Sequence, residues 1–336
     1  HPKSKWAKFI GKKLINPLTK KEIPVLSDMI VDLTFGTGAL KITPFHDPVD
    51  FLVWINHKNE ITIPPFSVIN QYGKMTDQAG PELAGLKVKD AREKSVDLLR
   101  ANLVKEPEDY KHQVSVCYKC NTAIEPRVMM QWFVKMTEKP VSSSKLKVKS
   151  SKLNRSLRDL AVDAVKSKKI KFIPARFEKV YMHWMKNLHD WNISRQIVWG
   201  IQIPAWYCQD MNSEACKKNS GVIVSAKTPE KCPHCDSTNL KRETDVFDTW
   251  FSSGQWPYAT LMTGKPDDFK KYYPTDVMET GWDILFFWVA RMIMFGLYRT
   301  GKVPFKDVYL HGLIRDKDRQ KMSKSKGNVI NPLEMA

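Results

Sequence analysis

The chain has 336 residues, of which 42% are hydrophobic and 27% are charged. This length and composition can bury a sizeable core and predict two or three domains. The formal net charge of +18 favours a polyanionic partner such as nucleic acid. The longest apolar run, Ile284 to Ala290, is too short to cross a bilayer, which argues against a membrane protein. The basic opening segment has no apolar run behind it, so it does not read as a secretory signal and we expect a cytoplasmic protein.

Residues 1–135 are predicted to be β-rich. Short apolar runs at Met29–Leu33, Ala39–Thr43 and Ile61–Ile69 are separated by Gly, Pro and Asn, as strands separated by turns would be. One helix is predicted over Pro81–Ala101, where apolar residues recur at roughly helical spacing.

The middle of the chain is strongly basic, with 12 Lys/Arg against three acids between Lys135 and Lys171. This excess is typical of a solvated helix face with a lysine-rich loop, and a nucleic-acid contact is the alternative. Within it, Val141–Leu153 is predicted to be a surface linker or a solvated helix start. A helix is predicted from there through Val165, followed by a strand at Ile170–Ile173.

The last third of the chain alternates between strand and helix patterns. Strands are predicted at Asp276–Glu279 and Val308–Leu313, with an apolar helix over Ile284–Tyr298 between them. Alternation of this kind predicts an α/β fold with a parallel sheet.

Six cysteines occur as two close pairs and two single residues. Without a secretory signal, C-x-x-C pairs favour zinc ligands over disulfides. Four of them have the spacing C-x7-C-x15-C-x2-C and can supply four thiolates to a structural zinc ion, namely Cys208, Cys216, Cys232 and Cys235. His234 lies between the last two and is expected not to be a ligand. Cys117 and Cys120 make only half a metal site.

The most specific motif is Lys321-Met322-Ser323-Lys324-Ser325, which follows a predicted strand carrying His311-Gly312. Two ammonium groups flanked by hydroxyls can follow a triphosphate and stabilise the charge that develops during attack at phosphorus. Alone, a basic loop of this size would be weak evidence. Together with His311-Gly312-Leu313, however, it closely resembles the signature loop of the class I aminoacyl-tRNA synthetases.

The resemblance implies a Rossmann-type catalytic core that makes an aminoacyl-adenylate from an amino acid and ATP with Mg²⁺, and then transfers the acyl group to tRNA. Lys321 and Lys324 would contact the phosphates, with Ser323 and Ser325 beside them. His311 and Gly312 would line the ATP site.

Two further segments resemble the valine-specific members of this family, Glu279 to Trp288 and Asp245 to Ser253. A carboxylate that follows a strand's carboxyl end can hold the ammonium group of a ligand, and Asp283 is the candidate. Trp250 and Ile284 would then shape a small apolar pocket for valine. The alternative for Asp283 is a helix N-cap, and both functions are compatible.

The segment Thr34 to Asp50 resembles the editing signature of the valine-specific enzymes, which hydrolyse tRNA(Val) wrongly charged with threonine. Binding alone separates these near-isosteric amino acids poorly, so a second, polar site supplies the discrimination. By matched position the editing pocket would be lined by Phe35, Lys41, Thr43, Asp47 and Asp50. Phe35 would pack on the terminal adenosine, while either aspartate would hold the substrate's amino group.

The resemblance assigns residues 1–135 to part of an inserted editing domain, 136–207 to the connection and core, 208–244 to a zinc-ribbon-like insertion and 245–336 to the second half of the Rossmann domain. The chain begins at His1 and contains no His-x-Gly-His nucleotide motif. We therefore expect an internal piece that is inactive alone, from an enzyme that is a monomer at full length. A free-standing deacylase and a non-catalytic zinc-ribbon RNA-binding protein are the competing hypotheses.

Overall fold

The computed structural model describes residues 1–61, 66–102, 111–117, 120–139, 155–324, 327–331 and 333. The chain divides into two compact units, His1–Met130 and Gln131–Ala336, and each is considered by itself. The expected linker at 141–153 lies outside the described residues. No helix of the described residues is long and apolar enough to cross a bilayer.

The first unit combines one β-hairpin with two helices. Strands β1 (Lys13–Ile15) and β2 (Glu22–Pro24) pair antiparallel. The helices are α1 (Pro48–Asn56) and α2 (Val88–Leu99), and short 3-10 turns lie at Ala7–Phe9, Asp77–Ala79 and Arg100–Asn102. A small core forms around Ala79, Leu83 and Ala91.

The strands predicted at Met29–Leu33 and Ala39–Thr43 are wrong, and the described residues of this unit are not β-rich. Aspartate side chains explain the first error. Asp28 accepts the amide of Ile30 at 2.9 Å and Asp32 accepts that of Thr34 at 2.7 Å. Such local bonds favour turns because they take amides that a strand would pair with its neighbour.

Two other predictions in this unit are partly right. The helix expected over Pro81–Ala101 is α2, but it begins only at Val88, after a turn. In the stretch Ile61–Ile69, residues 62–65 lie outside the described part, and Ile69 forms an isolated bridge with Met75.

The second unit is built on a parallel three-stranded sheet, as predicted. Its order is β11 (Thr275–Gly281), β12 (Phe305–His311) and β4 (Lys171–Ile173). The central strand β12 buries Phe305, Val308 and Leu310. Helices of this unit are α3 (Leu157–Lys166), α4 (Arg176–Lys186), α6 (Thr249–Ser253), α7 (Trp256–Thr263), α8 (Asp268–Tyr272) and α9 (Arg291–Thr300).

The helix predicted over Ile284–Tyr298 is three consecutive segments. A 3-10 turn covers Trp282–Ile284, a π-helix covers Leu285–Ala290, and only Arg291–Thr300 is α-helical. The π turn widens the backbone in a segment with three consecutive aromatic residues, Phe286, Phe287 and Trp288. The rings of Phe286 and Phe287 contact each other, and Trp250 stacks on Phe287. Turns of this type are frequent at functional sites.

Three smaller sheets complete the unit. β7 (Ala205–Cys208) lies between β8 (Val222–Val224) and β9 (Leu240–Arg242), and α5 (Glu214–Lys218) connects the first two. The two-stranded sheets pair β3 (Phe133–Val134) with β5 (Trp191–Asn192), and β6 (Ser194–Arg195) with β10 (Val246–Phe247).

A buried carboxylate connects these elements. Asp248 Oδ2 accepts from Arg195 Nη2 at 2.7 Å and from Trp191 Nε1 at 3.0 Å, and lies 3.7 Å from Arg291 Nη1. Its other oxygen caps α6 through the amide of Trp250 at 3.2 Å. Burial lowers the pKa of Arg291 to about 10, with the charge of Asp248 opposing. Arg195 is thus the second arginine that pairs with this carboxylate.

Removing the charge of Asp248 should destabilise the protein. In Asp248→Asn the guanidinium of Arg291 stays buried without its counter-charge, so we expect the free energy of unfolding to fall by about 3 kcal/mol. Urea unfolding measures the loss. Asp163→Asn is the control, because its ion pair with Arg155 is half exposed and should cost at most about 1 kcal/mol. Equal losses in the two variants would contradict this role of Asp248.

Candidate functional site

The carboxyl ends of the two long parallel strands meet at one edge of the sheet. Gly281 at the end of β11 is in register with His311 at the end of β12. His311 Nε2 lies 3.2 Å from Glu279 Oε1, and its Nδ1 lies 2.6 Å from the carbonyl of Gly312. Ligands of open α/β sheets bind outside this edge, so the polar groups here form the candidate site.

The basic loop returns to this edge through a short hairpin. An isolated bridge pairs Arg315 with Lys321, and the Asp316 carboxylate accepts the amides of Asp318 at 3.0 Å and Gln320 at 2.7 Å. Asn328 then ties the loop together: its side chain donates to Asp316 at 2.6 Å and accepts the amide of Ser323 at 2.8 Å. A cavity of about 390 Å³ is lined by His311, Gly312, Leu313, Ile314, Lys321 and Met322.

The structure brings two predicted residues from distant parts of the sequence into direct contact. Lys321 Nζ lies 2.5 Å from Asp283 Oδ2. Asp283 belongs to a 3-10 turn whose N-cap is Gly281, so its carboxylate is not the helix cap that was its alternative role. Lys324 is exposed on the same loop, and Ser325 lies outside the described residues.

Gly281 is a site residue that sequence reasoning missed. A Cβ at this position would lie 2.8 Å from Asp283 Oδ1, closer than real Cβ atoms approach, and 3.1 Å from Leu313 Cδ2, which is tight. Only glycine therefore leaves Asp283 where Lys321 meets it. The strand was predicted only to Glu279, so the sequence analysis did not place Gly281 at the strand end, two residues before the candidate aspartate.

Trp250 is held from two sides. Its amide donates a hydrogen bond to the Asp248 carboxylate, and its ring stacks on Phe287 at 5.9 Å between centroids. Phe287 belongs to the π-helix that begins just after Ile284, and both Trp250 and Ile284 are half-buried. The packing thus joins the elements that carry the two expected pocket residues.

A second polar cluster forms in the first unit. Lys41 Nζ donates to Thr43 Oγ1, and the Thr43 amide donates to Asp50 Oδ2, each at 2.5 Å. Asp47 is the N-cap of α1 and accepts the amides of Val49 and Asp50. Desolvation lowers the pKa of Lys41 and raises the pKa of Asp50. Phe35 is 62% exposed.

His46, beside this cluster, was also missed. Its Nε2 accepts the amide of Val68 at 2.9 Å, which leaves the proton on Nδ1, 2.9 Å from the carbonyl of Pro126. Burial is the main cause that lowers the pKa of His46. The ring is therefore a neutral bridge between loops, and a lone histidine in a loop gave no sequence signal for this.

Four cysteine thiols converge beside the three-stranded sheet of β8, β7 and β9, and we call this sheet with its cysteines the ribbon. The Sγ atoms of Cys208, Cys216, Cys232 and Cys235 all lie within 4.8 Å of one another. Two of the separations, Cys208–Cys235 at 3.5 Å and Cys216–Cys232 at 3.8 Å, match the roughly 3.8 Å that tetrahedral Zn–S bonds of about 2.3 Å imply. Three of the cysteines are buried. The donor set and its geometry fit a closed structural zinc site.

Backbone hydrogen bonds around Gly221 position two of these cysteines. Gly221 accepts the amide of Cys208 and donates its own amide to the carbonyl of Cys216, both at 2.8 Å. A Cβ on Gly221 would lie 2.7 Å from the Cys208 carbonyl. Burial raises the pKa of Cys216 to about 12, whereas hydrogen bonds from the Met211 backbone and neighbouring groups outweigh burial and lower the pKa of Cys208 to about 7.

The remaining pair is different. Cys120 is exposed and its Sγ lies 3.3 Å from Thr122 Oγ1, while Cys117 is half-buried. Among the described residues, the only group of three or more metal-ligating side chains is the four-cysteine cluster. The assignment of Cys117 and Cys120 to half a metal site stays a prediction.

A parallel sheet with a carboxylate and a cationic loop at its carboxyl edge is the arrangement of an α/β nucleotide-binding enzyme. A family model described as tRNA synthetases class I (I, L, M and V) matches residues 21–336. The chain belongs to this family of class I tRNA synthetases.

Similar curated proteins support this assignment. The chain is 45% identical over 336 residues to a valine–tRNA ligase of Treponema denticola, covering 99% of this chain and 34% of that protein. It is 47% identical over 328 residues to that of Solibacter usitatus, covering 96% and 34%, and 44% identical over 338 residues to that of Thermotoga maritima, covering 100% and 36%. The chain thus spans about a third of the length of these relatives.

Among solved structures, a methionyl-tRNA synthetase of Mycobacterium tuberculosis bound by methionyl-adenylate is 20% identical, with 53% of this chain and 28% of that chain covered. Its TM-score of 0.34 is too low to support a structural argument.

Removing one thiol should remove the metal from the ribbon. We expect Cys216→Ser to lose one zinc equivalent, because the three remaining thiolates cannot complete the four-ligand shell of a structural zinc site. Zinc released per chain on thiol modification, measured with a chromogenic chelator, gives the stoichiometry. His234→Asn is the matched control, since His234 lies between two ligands in sequence but its side chain is outside the cluster. Zinc retained in Cys216→Ser would contradict the assignment.

Proposed function

We propose that the protein to which this chain belongs is an ATP-dependent valine–tRNA ligase of class I. The observation that carries the proposal is the 44–47% identity to valine–tRNA ligases over nearly the whole chain. The site geometry is compatible with it, because one carboxylate and two lysines lie where an amino acid and a triphosphate would meet. Neither a free-standing deacylase nor a zinc-ribbon RNA-binding protein accounts for a synthetase match over residues 21–336.

The proposed reaction has two steps. The carboxylate of valine attacks the α-phosphorus of ATP, pyrophosphate leaves, and the valyl group then passes from the adenylate to the 3′ end of tRNA(Val). Asp283 holds the valine ammonium group, and Trp250 and Ile284 border its side chain. His311 and Gly312 line the ATP site, while Lys321, Lys324 and Ser323 face the phosphates, which Mg²⁺ accompanies. A role of Ser325 beside the phosphates stays a prediction from the resemblance.

The net charge of +18 supports tRNA as the polyanionic partner. The four-cysteine ribbon holds a structural zinc ion in this proposal, and its ligands are all provided by one short segment. A monomeric state and a cytoplasmic location stay predictions from the resemblance. So does the inactivity of this chain alone, which contains no His-x-Gly-His motif.

Removing the charge of Asp283 should abolish activation of valine. We expect Asp283→Asn in the full-length protein to lower kcat/KM for valine by about 100-fold in ATP–pyrophosphate exchange, because the ammonium group loses a charged partner. Asp276→Asn is the control on the same strand, since its carboxylate pairs with Lys306 at the far end. Exchange that is unchanged in Asp283→Asn, or driven by another amino acid in the wild type, would refute the proposal.

We further propose that the Lys41 cluster is the editing pocket for threonyl-tRNA(Val). Asp47 already caps α1, so Asp50 is assigned to the ammonium group of the mischarged amino acid, and Lys41 and Thr43 supply polar groups beside the ester. Phe35, which is exposed, offers a ring for the terminal adenosine.

Editing should be separable from synthesis and should depend on pH. We expect Lys41→Met and Asp50→Asn to slow deacylation of threonyl-tRNA(Val) at least about tenfold while valine activation persists. Because the pKa of Asp50 is raised, its carboxylate protonates at a higher pH than an exposed aspartate. Wild-type deacylation should therefore start to decline at a higher pH than the titration of an exposed aspartate would give. Asp77→Asn, which removes an exposed carboxylate, is the control and should keep the wild-type pH profile. Deacylation that survives both substitutions would exclude this pocket.

A further inference from the structure

The contact between Lys321 and Asp283 joins two groups that the proposed function assigns to different ligands. Asp283 is assigned to the ammonium group of valine and Lys321 to the phosphates of ATP. In the structure they bind each other, at 2.5 Å. We infer that the Lys321 ammonium is an internal competitor that occupies the valine ammonium position until the amino acid displaces it. This inference rests on the proposed function.

Chemistry makes the two cations equivalent for Asp283. A lysine side chain ends in a primary ammonium group, and valine carries one on its α-carbon. Each group offers three N–H donors to a carboxylate. Lys321 is the ion-pair partner of Asp283 among the described residues, and the carboxylate is only 22% exposed. Because Lys321 already lies against one oxygen of this half-buried carboxylate, the ammonium of valine competes with it for the same negative charge.

Withdrawal of Lys321 does not require the loop to unfold. Its backbone is held by the bridge to Arg315 and by Asn328, which donates to the Lys321 carbonyl at 3.3 Å. The side chain itself is 62% exposed and has four rotatable bonds. The ammonium can therefore swing away from Asp283 and into the cavity that Lys321 also lines, while the hairpin keeps its shape.

The consequence is coupling between the two substrates. In a fraction of the molecules Lys321 occupies Asp283, and only the remaining fraction can bind valine. The apparent affinity for valine is therefore the intrinsic affinity multiplied by the fraction in which Asp283 is free of Lys321. Valine that displaces Lys321 releases a cation for the triphosphate, so valine and ATP should each increase the affinity for the other by the same factor.

Equilibrium binding of valine to full-length variants tests the inference. Lys321→Gln removes the competitor, and we expect its Kd for valine to fall about 2- to 5-fold, the range of an exposed ion pair. Lys317→Gln removes the same charge from the exposed turn of the same hairpin, at a residue with no role in the proposed site, and its Kd for valine should stay at the wild-type value. Lys321→Arg keeps a cation against Asp283 and should also bind like wild type.

Ligands that lack one charge sharpen the test. Valinol, which keeps the ammonium group, should bind more tightly to Lys321→Gln, as valine does. 3-Methylbutanoate, which has no ammonium group, should show no gain. The α,β-methylene analogue of ATP, which cannot release its leaving group and so forms no adenylate, should tighten valine binding in wild type but not in Lys321→Gln.

The outcomes separate the inference from the function it rests on. Suppose that the wild-type protein binds valine and catalyses exchange normally. A Kd for valine in Lys321→Gln that is equal to or higher than the wild-type value would then overturn the inference alone. An equal gain in Lys317→Gln would overturn it too, because a general charge effect would then suffice. A wild-type protein that binds no valine would overturn both.

Discussion

The second unit depends on one buried carboxylate with four polar contacts. Asp248 fixes the start of α6 through one oxygen and gathers Trp191, Arg195 and Arg291 around the other. The guanidinium of Arg291 lies 3.8 Å above the ring of Trp191, so its charge is shared between an anion and an aromatic face. A charge in this position is tolerated only while all of these partners stay in place.

The proposed active site inherits its geometry from this centre. Arg291 begins α9 directly after the π-helix, and Asp248 orients the turn that carries Trp250. Stacking of Trp250 on Phe287 then connects the turn to the π-helix, which follows Asp283 along the chain. The parallel strands place Asp283 and His311 at one edge. The sheet side of the site is therefore fixed by packing, and the element that moves in our inference is the exposed side chain of Lys321.

Sequence reasoning predicted the parts of this protein that regular periodicity or a specific motif defines. The parallel strands β4, β11 and β12 and the converging cysteines are confirmed by the structure. The strands expected at 29–33 and 39–43 failed because single side chains, Asp28, Asp32 and Asp50, capture backbone amides there. The π-helix failed because periodicity cannot separate it from an α-helix. The contact between Asp283 and Lys321 joins residues 38 positions apart, which no local pattern reports.

The close packing around Gly281 has an evolutionary consequence. Every amino-acid replacement of glycine adds a Cβ, and here that atom would push first against the tip of Asp283 and the side chain of Leu313 rather than against backbone. Such a variant would fold and accumulate normally while its binding site is distorted. Purifying selection at position 281 would therefore act through catalysis rather than through protein abundance, so a stable host protein offers no tolerance for drift there.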